Sequence, residues 1–299
     1  MADLSHLLPN IEIRRDEPMC LHTSFKIGGP VTAMIFPKNE NELAFTVREL
    51  QTQSIDFFVL GNGTNLLVAE TPLELVVVKT PTGEAGIKQL SDTAIQAYSG
   101  ASLSRLSGFA CECGLSGFEF AHGIPGSVGG AVFMNAGAYG GDIGSFIVSV
   151  DAVMPNGKSK TFQANECGFS YRHSAFCDNG ATILSAVFEL IPGDMADIRD
   201  KMSALAKERR DKQPLDLPSA GSTFKRPPGG FAAAMIDEAG LRGFSIGGAA
   251  VSEKHAGFIV NRSGATFDDV IRVINHVRDE VLRHTGVELT PEVKIIGGG

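Results

Sequence analysis

No stretch of the 299 residues is long and apolar enough to cross a membrane; runs such as Leu75–Val78 are broken within a few residues. Met1 to Pro9 is short, carries Asp3 and lacks a basic segment followed by an apolar one, so it does not read as a signal peptide. Cysteine is sparse. Of Cys20, Cys111, Cys113, Cys167 and Cys177, only Cys111 and Cys113 are close, with no second pair at zinc-ligand spacing, so no metal is expected. An odd count without a secretion signal points to the cytoplasm and reduced thiols, with Cys111 and Cys113 as small apolar residues at a helix end. Positive charge is also in deficit. A net charge of −8 argues against an extended nucleic-acid surface. There is no internal repeat, heptad run or low-complexity segment, and no G-x-x-x-x-G-K-[ST] loop for nucleotide hydrolysis.

What is present is an ordinary globular composition, 43% hydrophobic and 20% charged, enough to build a sizeable core and more than one lobe. Val31–Phe36, Ile55–Leu60 and Glu74–Lys79 have the branched and aromatic content of strands. Asn39 to Gln51 lies between the first two and predicts a helix, capped by Asn39 with Glu42 three residues on and Leu43, Val47 and Leu50 on one face. Ser102 opens a second helix through Leu103, Leu106 and Ala110, stopped by Gly114. Phe146–Met154 and Lys158–Phe162 flank Pro155-Asn156-Gly157, a hairpin signature. Asp197–Lys212 reads as a charged helix linking lobes, and Phe231–Ala239 as a helix ended by Gly240. Phe267–His284 is the clearest amphipathic helix, with Val270, Ile274, Val277 and Val281 at helical spacing. Gly257–Asn261 and Val293–Ile296 read as strands. The class is α+β.

Two glycine-rich segments carry the chemistry. The first follows a strand: Gly61-Asn62-Gly63-Thr64-Asn65, then Leu66-Leu67-Val68. Leu66 stands where a Rossmann fingerprint needs its third glycine, and Thr71-Pro72 leaves no room for a crossover helix. Two readings stay open for it: a nest of backbone N–H groups for phosphate, aided by Thr64 and Asn65, or a tight turn between strands. The second segment is Gly123-Ile124-Pro125-Gly126-Ser127-Val128-Gly129-Gly130, running on through Asn135-Ala136-Gly137-Ala138-Tyr139-Gly140-Gly141. It permits close backbone approach, and Pro125-Gly126-Ser127 suits a helix start that favours an anion. A packed helix crossing explains Gly129 and Gly130 equally well. Two such loops suit an extended ligand with a central pyrophosphate, as in FAD.

The order and spacing of several motifs are more specific. They are His22-Thr23-Ser24-Phe25-Lys26-Ile27-Gly28-Gly29, Gly61–Asn65, Gly123–Gly137, Tyr171-Arg172-His173-Ser174, Gly221-Ser222-Thr223-Phe224-Lys225, Lys254-His255-Ala256-Gly257-Phe258 and Leu289-Thr290-Pro291-Glu292-Val293. Together they resemble the UDP-N-acetylenolpyruvoylglucosamine reductase family nearly end to end. The resemblance implies a two-lobed FAD-binding fold of the vanillyl-alcohol-oxidase (PCMH) type plus a smaller α/β substrate-binding lobe. The expected lobes are 1–80, joined by the terminal strand 291–299, then 81–196, with 197–290 over the substrate. Only Ala175–Ala181 separates Ser174 from the next strand, as in the shorter subtype without a tyrosine-bearing insertion.

The resemblance further implies non-covalent FAD, NADPH as electron donor, and UDP-N-acetylglucosamine enolpyruvate as acceptor; the sequence does not give the oligomeric state, and a monomer is favoured. It places Arg172 and Glu292 on the developing enolate and Ser222 as its proton donor, a chemistry that needs cationic and hydrogen-bonding groups on one carboxylate. Cofactor contacts fall on Gly61, Asn62, Gly63, Thr64, Asn65, Gly123, Ile124, Pro125, Gly126, Ser127, Gly129, Gly130, Asn135 and Gly137. Lys225, Tyr171 and Tyr139 are expected on the substrate side, Lys225 at its phosphates, while Arg226 carries no fixed role. Taken singly, Arg172 reads as a surface charge, Ser222 as a turn residue and Glu292 as a charge beside an edge strand. His22, His122, His173 and His255 read as packing or hydrogen-bonding residues. Two other classes fit the glycine loops: an oxidase on the same fold, betrayed by flavin that stays on the denatured chain, and a non-catalytic flavin-binding sensor.

Overall fold

The structure is a computed structural model that describes residues 4–82 and 86–298; Asp3 and the last residue of the 291–299 segment lie outside them. The chain divides into two compact units. The first comprises Met1–Arg15, Ala33–Asn62 and Leu75–Glu208, and the second Asp16–Thr32, Gly63–Glu74 and Arg209–Gly299.

In the first unit, helix α1 (Leu4–Leu7) precedes helix α2 (Glu40–Thr52). As its sequence predicts, α2 begins at Asn39, whose side chain accepts from the Glu42 N–H. Leu43, Val47 and Leu50 are fully buried against Ala33 and Ile35 and against Val76 and Val78, which alternate along their strands. A four-stranded sheet runs in the order Glu12–Pro18, Pro30–Phe36, Leu73–Lys79, Phe57–Leu60, and its last two strands are parallel with Leu60 opposite Lys79. The strand expected from Ile55 begins at Phe57, because the Ile55 N–H is taken by Leu50 O at the end of α2.

A five-stranded antiparallel sheet in the same unit is ordered Ser159–Gln163, Ile147–Val153, Thr182–Glu189, Ala94–Tyr98, Ile87–Gln89. Its first two strands are the expected hairpin, turning at Gly157 with φ +77°. Ile95, Ala97, Val150, Ala152, Ala186 and Phe188 form one face of the core with helix α3 (Leu103–Glu112) and helix α4 (Val128–Met134). Ser102 caps α3 through the Arg105 N–H. The charged helix α5 (Met195–Lys212) starts two residues earlier than expected, because Asp194 accepts from the N–H groups of Ala196 and Asp197. The division between the units falls within it.

The second unit centres on an antiparallel sheet ordered Ser219–Ser222, Phe258–Asn261, Ala249–Val251, Ser245–Ile246. Helix α6 (Ala232–Glu238) and helix α7 (Phe267–Thr285) share its core. Thr266 and Asp269 form a capping box at the start of α7, and Gly286 ends it with φ +71°. Val270, Val273, Ile274, Val277 and Val281 are buried, and each such side chain contributes about 1.5–3 kcal/mol. A parallel pair, Leu66–Val68 with Lys294–Ile296, returns the end of the chain beside the residues that follow the first glycine loop.

Candidate functional site

The first unit holds the start of the first loop, all of the second, and Arg172. Gly61 leaves the strand Phe57–Leu60 and lies so close to Ser127 that a Cβ built on it would stand 2.3 Å from Ser127 Oγ. Lys79 Nζ donates to Gly61 O. The backbone N–H groups of Asn62, Gly63 and Thr64 donate to no acceptor among the described residues. Successive free N–H groups after a strand are what a phosphate oxygen requires, so this stretch fits a nest.

Ser127 caps α4, accepting from the Gly130 N–H at 3.3 Å. The helix start expected at Pro125-Gly126-Ser127 is therefore present. Its N–H groups are nevertheless committed: Val128 donates to Ala101 O, Gly129 to Ser99 O and Gly130 to Ser127 Oγ. Close packing explains Gly129, whose added Cβ would meet Ser99 Cβ at 2.8 Å. It does not explain Gly130, where the nearest atom would be Ser127 Oγ at 3.4 Å.

Asn135 ends α4 in the left-handed region with φ +43°. Its Oδ1 accepts from the Gly144 N–H at 2.8 Å, and its Nδ2 donates to Ser170 O at 3.0 Å. Ser170 pairs through both backbone groups with His173, so Tyr171 and Arg172 form the tip of a tight turn, Arg172 with φ +55°. Arg172 donates to Gly137 O at 3.2 Å, and its guanidinium lies 5.3 Å from the Tyr171 ring centre. Tyr139 and Tyr171 are exposed. One buried amide thus holds the turn that presents Arg172.

In the second unit, Gly63 has φ +64°, and a Cβ there would stand 2.1 Å from His22 O. The Ser24 N–H donates to Gly63 O at 3.1 Å and its hydroxyl to Ser219 O at 2.6 Å, so the segment beginning at His22 fastens the loop from behind. The Asn65 side-chain amide donates to Glu292 O at 3.3 Å. Two backbone bonds flank the bridge between Phe224 and Pro291: Glu292 N to Thr223 O at 2.8 Å and Lys225 N to Thr290 O at 2.9 Å. Ser222, Lys225 and Glu292 are thereby brought together from distant parts of the sequence. Gly221, next to Ser222, has φ +77° and open space where a Cβ would lie. Exposed Arg226 stacks at 4.4 Å on the Phe231 ring. A cleft of about 440 Å³ in the same unit, bordered by Arg210, Leu217, Lys254 and Arg262, includes none of Ser222, Lys225 and Glu292.

The histidines take local partners: His22 with Glu17 at 2.8 Å, His173 with Asp178 at 3.0 Å, and His255 Nδ1 accepting from the Gly257 N–H at 3.2 Å. Burial lowers the pKa of His255. Buried His122 Nδ1 has no hydrogen-bond partner among the described residues. Burial pushes the Cys167 thiol up to about 11 and raises that of Cys113, conditions that keep thiols protonated. Among the described residues no cluster of His, Cys, Asp and Glu is arranged to hold a metal ion, and no helix is long and apolar enough to cross a membrane.

Sequence reasoning missed the commitment of Asn65 to Glu292, the double tie of Asn135, and Lys79. Only Lys79 left a signal, a cation ending the apolar run Leu75–Val78 just before Thr80.

Residues 31–163 match the family model described as an FAD binding domain, and residues 213–296 match that of the UDP-N-acetylenolpyruvoylglucosamine reductase C-terminal domain. The chain is 46% identical to a UDP-N-acetylenolpyruvoylglucosamine reductase from Caldanaerobacter subterraneus, with 98% of this chain and 97% of that one aligned. It is 44% identical to the protein of the same name from Syntrophomonas wolfei, over 99% of each. A solved UDP-N-acetylenolpyruvylglucosamine reductase from Thermus caldophilus is similar with a TM-score of 0.80 and 29% identity, covering 96% of this chain and 99% of that one. The expected α+β FAD-binding fold is borne out.

Proposed function

The chain belongs to the UDP-N-acetylenolpyruvoylglucosamine reductase family of FAD-containing oxidoreductases, and from that premise we propose that it uses NADPH to reduce UDP-N-acetylglucosamine enolpyruvate to UDP-N-acetylmuramate in peptidoglycan precursor synthesis. The observation that supports this reading furthest is the backbone pairing of Thr223 with Glu292 and of Lys225 with Thr290, which joins the segment carrying Ser222 and Lys225 to the segment carrying Glu292.

FAD, once bound and reduced by NADPH, would supply the hydride for the methylene carbon of the substrate's enol ether. Negative charge then develops on the neighbouring carbon and its carboxylate. Arg172, presented on its tight turn, offers a planar guanidinium suited to that carboxylate. Glu292 contributes a second hydrogen bond when its carboxyl carries the proton, and Ser222 delivers the proton that completes the reduction. A serine hydroxyl is a weak acid, so its proton is replaced from a neighbour or water as it leaves. Lys225 is assigned to the substrate's phosphates, with Tyr139 and Tyr171 on the substrate side. Gly61–Thr64 hold the cofactor through their N–H groups, with Asn65 fastening Glu292 behind them, and Gly123–Gly130 and Gly137 allow the cofactor close approach.

The domain reading is kept as part of this proposal: 1–80 with 291–299, and 81–196, serve the cofactor, and 197–290 covers the substrate. Parallel pairing of Leu66–Val68 with Lys294–Ile296 supports the return of the terminal strand. The enzyme is assigned to the cytoplasm as a monomer.

Anaerobic reduction of the yellow protein by NADPH, followed by addition of the enolpyruvyl nucleotide, tests the reaction. The nucleotide should reoxidise the flavin, and failure to do so sinks the assignment. Ser222→Ala should leave reduction by NADPH nearly intact and slow reoxidation by roughly 10²–10⁴-fold. Equal slowing of both halves would remove the proton-donor role from Ser222.

A further inference from the structure

Lys79 ends the strand Leu73–Lys79 and takes no part in the chemistry above. Its ammonium is drawn into the first unit and donates to the carbonyl of Gly61, the residue that opens the first glycine loop. Among the described residues no carboxylate lies within ion-pair distance of it, and no charged or titratable group acts on it from the strand beside it, the glycine loop or the segment at Gly123–Gly130. Burial alone acts on it and lowers its pKa to about 8. Gly61, in turn, lies against Ser127, and the next N–H, that of Asn62, is free. A half-buried cation held, among the described residues, by one carbonyl is costly to the unliganded protein, and an arriving anion offsets that cost.

We propose that Lys79 is the counter-charge for a phosphate of the bound dinucleotide, acting on the same phosphate as the free N–H of Asn62. The inference rests on FAD binding by this family. It concerns binding only, since the ammonium hydrogen-bonds phosphate and has no role in hydride or proton delivery.

A proton linkage follows. A phosphate beside the ammonium raises its pKa above the value of about 8 in the free protein. The bound state therefore holds a proton that the free state loses above that pH. FAD affinity should be constant below about pH 8 and fall as pH rises beyond it, toward a limit of about tenfold per unit.

The test uses the full chain stripped of flavin and titrated with FAD or with riboflavin, which lacks phosphate, by flavin fluorescence between pH 7 and pH 9, a window set around the Lys79 pKa of about 8. Lys79→Met should weaken FAD binding on the order of tenfold to hundredfold at neutral pH, leave riboflavin binding unchanged, and abolish the rise in Kd with pH. Lys79→Arg should retain most of the affinity and move that rise beyond the window. Equal losses for FAD and riboflavin would make Lys79 a prop for the loop and overturn the proposal. The unsubstituted protein supplies an independent check, because a Kd for FAD that stays flat across the window also overturns it. Neither failure would touch the assignment of the reaction, which the reoxidation experiment decides separately.

Discussion

Gly61→Ala isolates one contact in the cradle. Gly61 does not occupy the left-handed region, so alanine is compatible with its backbone, and a less flexible unfolded chain should stabilise the variant by about 0.4–1 kcal/mol. Opposing this, the new Cβ would stand 2.3 Å from Ser127 Oγ and 3.4 Å from Ser127 Cβ. Only the first distance is intolerable. Rotating the Ser127 hydroxyl away relieves it but abandons the cap on the Gly130 N–H, which costs about 0.5–2 kcal/mol. Gly61→Ala should therefore destabilise by about 0–1.5 kcal/mol, and Ser127→Ala by about 1 kcal/mol. With Ser127 already alanine, the clash and the cap are both gone. Gly61→Ala should then cost nothing or stabilise slightly, a departure from additivity equal to the lost cap, about 0.5–2 kcal/mol. Urea unfolding of the flavin-free protein, followed by circular dichroism across the four members of the cycle, measures this. If the single costs add within about 0.5 kcal/mol, contact with Ser127 is not the reason for glycine at position 61.

Asn135→Ala places alanine in the left-handed region and removes both side-chain ties, for an expected loss of about 2–4 kcal/mol. Asn135→Gly should recover only the backbone part, and both variants should slow flavin reoxidation by loosening the Arg172 turn. Burial alone would raise the Glu119 pKa, but hydrogen bonds from the Ser116 hydroxyl and the Gly117 N–H, with Lys201 at 3.5 Å, outweigh it and hold the pKa below 4.5. A depressed carboxyl pKa stabilises the fold above the unfolded value and loses that contribution as pH falls through the folded one. Glu119→Gln should thus be less stable at neutral pH by roughly 1–3 kcal/mol and show a flatter decline in acid, measured as unfolding midpoints against pH.

Local chemistry was legible in the sequence wherever neighbours settle the outcome. Asn39 with Glu42, the Asn156-Gly157 turn and the valine face of Phe267–Thr285 all act within one turn or hairpin. The strand Glu12–Pro18 escaped notice because it is an edge strand, mostly exposed and rich in charge, without the alternation that betrays a half-buried strand. At the site, residue identities came from the motif order, but partners did not. Asn65 looked like a ligand donor because its amide sits in a glycine loop; only the fold reveals a carbonyl 227 residues away to occupy it. Likewise, a Ser-capped helix start promises free N–H groups, and it takes tertiary structure to show Ala101 and Ser99 consuming them. Lys79 carried little signal because its interest lies in having no counter-ion among the described residues, which no local pattern encodes.

The junction of Ser222–Lys225 with Thr290–Glu292 also bears on how activity is acquired during folding. Its partners lie far apart in the chain, and Asn65 joins them across an even longer loop. Contacts of such high sequence separation are entropically slow to close and become favourable only once the intervening chain is largely ordered. Helix α7 and the sheet against it can therefore regain secondary structure before any catalysis returns. During refolding, the recovery of turnover should trail the recovery of ellipticity, making activity a clock for the last long-range closure.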